Sequence, residues 1–425
     1  MPLSKSPNAS LFPFETTEHV IEASHVREYA RATKPSPEPL KLVVNRYTPK
    51  LNTEPRPGDL TIIGTHGSGY PKELYEPIWE ALYSRLCSYG IRIRSIWIAD
   101  AANQNASGQV NEKVRGDDPS WFDHSRDLLY MINQFKEEMP QPIVGIGHSY
   151  GCGQLVFLSL IHPRLFTSLI LIEPVIEEDI YIGIGPELVR YALARKSGWA
   201  SREEAYTYFR KLFKKWDASA LELWMRYGLT ESSPSSTTSK TQNDQASTLN
   251  LTTHPYHEVN PYLRANYEHK KPACGDQENP DIIGPDHTIA PFYRNEPLLI
   301  WRMLPHIRPS VLWFFGSTSP SSTPKKRKEK LEITGSGIGG SGGYRMGRVK
   351  EVTIKGSTHQ LPFEEVGRIS SESAEWLRGE MERWKEYDER VRKSWEVEPD
   401  NRVKNWHTPL KESLRKSKLA REAKL

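Results

Sequence analysis

The sequence predicts an α/β fold, a mostly parallel sheet flanked by helices on both faces, with a helical insertion between strands six and seven. Three observations lead there. Short, almost wholly apolar runs recur along the chain, as in "DLTIIGTHG" (59–67), "PIVGIGHS" (142–149) and "FTSLILIEP" (166–174). They alternate with stretches of helical periodicity. After Pro174 the alternation stops, and it resumes only at Ser310. Apolar strands alternating with helices need both sheet faces covered, which is the signature of parallel pairing.

Taken in order, residues 1–40 are polar and carry several prolines, and read as an irregular N-terminal arm. The first part of the core spans 41–175. In it "LKLVVNRYT" is a strand, and so is 59–67. "LYEPIWEALYSRLCSYG" (74–90) is an amphipathic helix closed by glycine, and "IRIRSIWIAD" (91–100) is a strand. "WFDHSRDLLYMINQFKEEM" (121–139) is a helix. The strand at 142–149 then runs straight into a helix at 150–163, and 166–174 is a strand again. Residues 176–305 form the insertion, expected to be a lid. It contains a Ser201/Glu204 capping box and a low-complexity loop at 231–250. The second part of the core, 306–396, holds strands at 310–317 and 347–356 and a long helix at 362–395. A basic tail, 397–425, follows.

Composition excludes several classes. The 425 residues carry 57 Lys plus Arg against 53 Asp plus Glu, a net charge of +4. That excess has no basic stripe interleaved with aromatics, so no nucleic-acid partner is expected. No apolar run reaches the length of a membrane span, and the N-terminus lacks the apolar segment of a secretory signal. The three cysteines, Cys87, Cys152 and Cys274, form neither a CxxC pair nor a disulfide framework, which fits a reducing compartment. No metal motif occurs, and no cofactor is expected. Gly335-Ser336-Gly337-Ile338-Gly339-Gly340 matches GxGxxG by letter. It does not open a helix within a βαβ unit, so it reads as a flexible or closely packed loop.

Ser149 is the candidate nucleophile. It stands in Gly147-His148-Ser149-Tyr150-Gly151, between a predicted strand and a predicted helix. Glycines two residues to either side permit the sharp, strained turn that presents a serine hydroxyl at a helix N-terminus. The loop Thr65-His66-Gly67-Ser68-Gly69 leaves an earlier strand. Its Ser68 amide, with the Tyr150 amide, is the candidate oxyanion hole, and His66 reads as structural. His359 follows the last strand and is the candidate base, as the chain order serine, acid, histidine requires. The usual place for the acid, after strand 310–317, holds no carboxylate before Glu329. Glu173, ending strand 166–174, is the candidate acid. A carboxylate there is costly unless partnered, and a histidine is a suitable partner. Asp100 or a carboxylate of the insertion stays open as an alternative.

The segments "THGSGYPKELYEPIW", "IVGIGHSYG", "LLYMINQF", "HPRLFTSLILIEP", "GSGIGGSGG" and "GSTHQLPFEEV" together resemble fungal α/β-hydrolases of secondary-metabolite and toxin biosynthesis. That group includes the peroxisomal acyl-CoA hydrolase type of mycophenolic acid biosynthesis. The resemblance runs in segments from about residue 17 to the C-terminus and is poor across 231–250 and much of the insertion. It implies the α/β-hydrolase fold, a Ser-acid-His triad with the acid after the sixth strand, and an acyl-CoA or ester substrate. The family type carries Asp where this chain has Glu173. Carboxylic-ester hydrolysis, acyl transfer with the same triad, and a non-catalytic binding protein are the alternatives. The terminal Ala423-Lys424-Leu425 has the form of a peroxisomal address, so an import receptor is an expected partner and the peroxisomal matrix the expected location. A homodimer stays open. Lys325-Lys326-Arg327-Lys328 reads as a solvated loop, with a nuclear signal or a contact to the CoA diphosphate as the other readings.

Overall fold

The computed structural model describes residues 12–178, 185–231, 248–265, 292–396 and 408–418. Its main sheet has eight strands in the order β1-β2-β4-β3-β5-β6-β12-β13. These are β1 (Phe14–Glu22), β2 (Lys41–Pro49), β3 (Leu60–Thr65), β4 (Ile93–Ala99), β5 (Ile143–His148), β6 (Ser168–Ile172), β12 (Ser310–Gly316) and β13 (Val349–Ile354). From β4 to β13 every pairing is parallel, while β1 and β2 pair antiparallel at one edge. Every residue of β3, β5, β6 and β12 is buried. Helices must therefore cover both faces, as the unbroken apolar runs required.

The N-terminal arm is corrected in part. Residues 14–22, taken as irregular, form β1, paired with β2 from Phe14 opposite Pro49 to Glu22 opposite Lys41. Only Phe14 and Ile21 of this edge strand are buried, so its apolar signal is thin. Its partner is reached through the long segment 23–40, so no tight turn marks the pair.

On the faces lie α1 (Glu76–Ser88), α2 (Asn105–Val110), α3 (Trp121–Gln134) and α4 (Tyr150–Ile161). Helix α3 begins with a full capping box, Ser120 with Asp123, which the sequence reading passed over. Between β6 and β12, the sixth and seventh strands of the main sheet, lies the insertion. Among the described residues it holds helices α5 (Gly185–Ala194), α6 (Arg202–Leu212), α7 (Ala218–Tyr227), α8 (Pro255–Glu258) and α9 (Glu296–Met303). It is not purely helical. Strands β7 (Gly198–Trp199), β8 (Leu229–Glu231) and β9 (Leu249–Leu251) make a small sheet, and β10 (Arg264–Ala265) pairs with β11 (Phe292–Tyr293). These strands have two or three residues each, too few to show a period in sequence. At Ser201 half of the expected capping box forms. The Ser201 hydroxyl accepts from the Glu204 amide, while Glu204 turns to the Ala200 amide and Lys196.

The basic run is also corrected. Lys325–Lys328 belong to helix α10 (Pro324–Ile333), not to a loop. Thr323 caps it and Pro324 starts it. Its cations are matched by carboxylates: Lys325 by Glu329, Lys326 by Glu177, Arg327 by Glu351 and Lys328 by Glu332. The glycine-rich 335–340 segment is a tightly packed loop after α10. A Cβ on Gly340 would stand 2.5 Å from the carbonyl oxygens of both Gly335 and Pro305.

Helices α11 (Leu361–Glu364) and α12 (Val366–Trp395) complete the described elements of the core. The chain divides into two compact units, one to Arg378 and one from Gly379. Among the described residues no helix is long and apolar enough to cross a membrane. The greater part of the low-complexity loop, residues 232–247, lies outside the described residues, as do Cys274 and the terminal Ala423, Lys424 and Leu425.

Candidate active site

Strand β5 ends at His148, helix α4 begins at Tyr150, and Ser149 between them takes φ +58° and ψ −125°. A serine there is strained, and the flanking glycines explain how the turn is tolerated. A Cβ on Gly151 would lie 2.6 Å from the His66 carbonyl oxygen, and one on Gly147 would lie 2.8 Å from Thr65 Oγ1. The turn therefore seats the α4 N-terminus against the end of β3. The partial positive charge of that helix end points to where Ser149 stands.

Three sequence-predicted residues come together at the carboxyl edge of the sheet. His359 Nε2 lies 2.9 Å from Ser149 Oγ, and its Nδ1 lies 3.1 Å from Glu173 Oε2. The Glu173 side chain is wholly buried and Ser149 is buried too, whereas the His359 side chain between them is 31% exposed, so solvent meets the row at the imidazole. Glu173 also sits at positive φ, +51°. With Ser149 it makes two of the three such non-glycine residues among those described. Its other oxygen accepts from the Gly316 amide and from Ser322 Oγ at 3.3 Å. Two donors and an imidazole thus satisfy a carboxylate that burial would otherwise penalise.

Asp100, the alternative acid, is committed elsewhere. It accepts from the Lys72 amide, Lys72 Nζ and Asn105 Nδ2 at 3.1, 3.2 and 3.1 Å. Burial alone would depress the Lys72 ammonium, but Asp100 and Glu73 outweigh it and hold it above its ordinary range.

The loop after β3 lies across from the helix. Gly67, Gly69 and Tyr70 spend their amides on Tyr75 Oη, Gln104 Oε1 and the Gly67 carbonyl. The amides of Ser68 and Tyr150 have no acceptor among the described residues, which leaves two donors available to a ligand oxygen. His66 is held by backbone on both sides. Its Nδ1 bonds the Gly67 carbonyl at 2.8 Å, and its Nε2 accepts from the Ala101 amide at 2.9 Å. Burial pushes this ring below the usual histidine range and keeps it neutral.

The insertion reaches the site from above. Ser68 Oγ donates to the Glu258 carbonyl at 2.8 Å. Lys215 Nζ donates to the Gly356 carbonyl, Trp216 Nε1 to Gln360 Oε1 and the Asp217 amide to the Phe363 carbonyl, at 2.8, 2.8 and 2.7 Å. Rings of Tyr70, Trp216, Trp224 and Phe363 pack into an aromatic wall, in which Tyr70 and Phe363 rest on His148, whose ring in turn neighbours His359. Sequence reasoning missed Gln104, Gln360 and Trp216, whose partners are distant in the chain, so no spacing signalled them. Among the described residues no group of three or more His, Cys, Asp or Glu side chains could hold a metal ion.

A strained serine on a strand–helix turn, within hydrogen-bond reach of an imidazole, with two free amides nearby, is an arrangement for attack on a carbonyl carbon. The family model described as the alpha/beta hydrolase family matches residues 62–369. The chain belongs to that family and is an enzyme of the hydrolase class. It is 38% identical over 421 residues to the type I acyl-CoA thioesterase mpaH of Penicillium roqueforti (strain FM164), covering 94% of this chain and 95% of the relative. It is 26% identical over 243 residues to the abhydrolase domain-containing protein ACTT2-1 of Alternaria alternata, over 56% of this chain and 84% of the relative. Among solved structures, the peroxisomal alpha-beta-hydrolase Lpx1 of Saccharomyces cerevisiae superposes with a TM-score of 0.64 at 18% identity, over 86% of this chain and 90% of that one. That likeness is one of fold.

Proposed function

We propose that the protein hydrolyses an acyl-CoA thioester through an acyl-enzyme on Ser149. The single observation that carries this reading is the continuous row Glu173–His359–Ser149, with both contacts near 3 Å. His359 takes the Ser149 proton, and the hydroxyl oxygen attacks the thioester carbonyl. The Ser68 and Tyr150 amides hold the oxyanion, and Glu173 keeps Nδ1–H in place and stabilises the imidazolium. CoA leaves as the thiol with the proton from His359. Water, activated by the same ring, then releases the acid.

The triad serves esters and thioesters alike. The thioester choice is supported by the likeness to mpaH along nearly the whole chain. The insertion, residues 176–305, acts as a lid over the acyl group and contributes Trp216 and Trp224 to the aromatic wall. Most of its low-complexity segment, residues 232–247, lies outside the described residues. We read the terminal Ala423-Lys424-Leu425 as an address for the peroxisomal matrix. A fluorescent fusion should co-localise with peroxisomes and turn cytosolic when those three residues are removed. Diffuse signal from the intact fusion would contradict this.

The activity is tested by following free thiol released from a panel of acyl-CoAs, with simple carboxylic esters in parallel. Thiol release at rates well above those for matched esters is the expected result. Ester cleavage without thiol release would leave an esterase, and acyl transfer to an added alcohol would leave a transferase.

A further inference from the structure

Residue 148, the histidine that precedes the serine, is fully buried, and both of its ring nitrogens are bonded. Their roles can be assigned. The Gly67 amide donates to Tyr75 Oη at 2.8 Å, so that oxygen has its own proton left to give. It lies 2.8 Å from His148 Nδ1, and the other ring nitrogen faces a carbonyl, which can only accept, so Nδ1 is the acceptor. The proton of the neutral ring then sits on Nε2, and it points at the backbone carbonyl of His359, 3.0 Å away. Burial, helped by the neighbouring His359, depresses the ring well below the usual histidine range and keeps it in this single-proton form. The ring has no room to move. A Cβ on Gly67 would meet Nδ1 at 2.7 Å, and the rings of Tyr70, Tyr75, His359 and Phe363 surround it.

We propose that His148 is a positioning residue that fixes the His359 loop relative to the oxyanion loop, through the chain Gly67 amide to Tyr75 hydroxyl to His148 to His359 carbonyl. This rests on His359 being the base. The three links join the loop after β3, through the end of strand β5, to the loop after β13, two loops that the main sheet alone does not hold together. They set the height of the His359 backbone over Ser149, and hence the Nε2–Oγ separation on which proton transfer depends. Displacement of a catalytic group by about 1 Å can cost a hundredfold in rate.

The test uses the full-length chain and a fluorophosphonate probe, whose rate of attachment to Ser149 reports nucleophile activation, alongside kcat and KM. His148→Asn keeps an acceptor toward Tyr75 but removes the donor to His359. It is expected to slow labelling and kcat by about ten- to a hundredfold, with KM changed less than threefold. His148→Gln can still place an N–H near the old Nε2 position and is expected to regain most of that loss. Wild-type labelling by His148→Asn overturns the inference. So does equal slowing by both variants, because ring volume rather than the donor would then matter. If His148→Asn fails to fold, Tyr75→Phe decides. It removes the oxygen that holds both the Gly67 amide and His148, so slower labelling at unchanged KM is expected, and a wild-type rate overturns the proposal. His359→Ala separates the two readings. If that variant labels at the wild-type rate, the catalytic reading itself is wrong. If it is inert while His148→Asn is unaffected, only the positioning claim falls.

Discussion

Ser149→Ala is expected to abolish hydrolysis, lowering kcat by about 10⁴- to 10⁶-fold while leaving substrate binding near normal. The size follows from the chemistry. Without the hydroxyl no acyl-enzyme forms, and what persists is the modest effect of bound orientation and free oxyanion donors. The fold should be indifferent to the change. Alanine at φ +58° carries the same Cβ burden as serine, and the Ser149 backbone bonds to Ile172 and Val175 use main-chain atoms only. A melting temperature within a few degrees of wild type, with catalysis gone, is the combined signature. Substantial turnover by the alanine variant would show that another group attacks the substrate.

Glu173→Gln is expected to cost about 10³- to 10⁴-fold in kcat, again with little loss of stability. The argument is one of proton placement. In wild type, one Glu173 oxygen accepts from the Gly316 amide and from Ser322, and the other from His359 Nδ1–H. A glutamine must keep its carbonyl oxygen toward Gly316, because two donors already meet there. Its NH₂ then faces Nδ1, and the imidazole satisfies it only by moving its proton to Nε2. That proton points at Ser149 Oγ, and the ring can no longer accept one from it. The neutral side chain also withdraws the charge that stabilises the imidazolium. An unchanged kcat in this variant would remove Glu173 from the mechanism. Asp100 would be a poor replacement, since Lys72 and Asn105 already hold it.

What the sequence revealed and what it hid divide along a physical line. Strands β3, β5, β6 and β12 are buried along their whole length, so their apolar runs were unmistakable. The serine and the histidine were legible from local context, a glycine-flanked turn and a position after the last strand. Glu173 was legible only because the expected place for a carboxylate was empty. Strand β1 was hidden because an edge strand with two buried side chains carries almost no period. Helix α10 was hidden behind its charge run, although Thr323 followed by Pro324 is a helix start that could have been read. The contacts that hold the site in shape were not legible at all. His148 touches a carbonyl 211 positions away, and Trp216 touches Gln360 144 positions away. Such partners are fixed by the fold and not by spacing.

The central claim is that the acyl group passes through Ser149. The most direct measurement is rapid-quench mass spectrometry of the wild-type chain mixed with an acyl-CoA that it turns over. The expected result is one acyl group per chain, appearing with the first equivalent of free CoA and mapping to the peptide that contains Ser149. Steady CoA release under conditions where the deacylation step is slowed, with no acyl adduct on that serine, would contradict it.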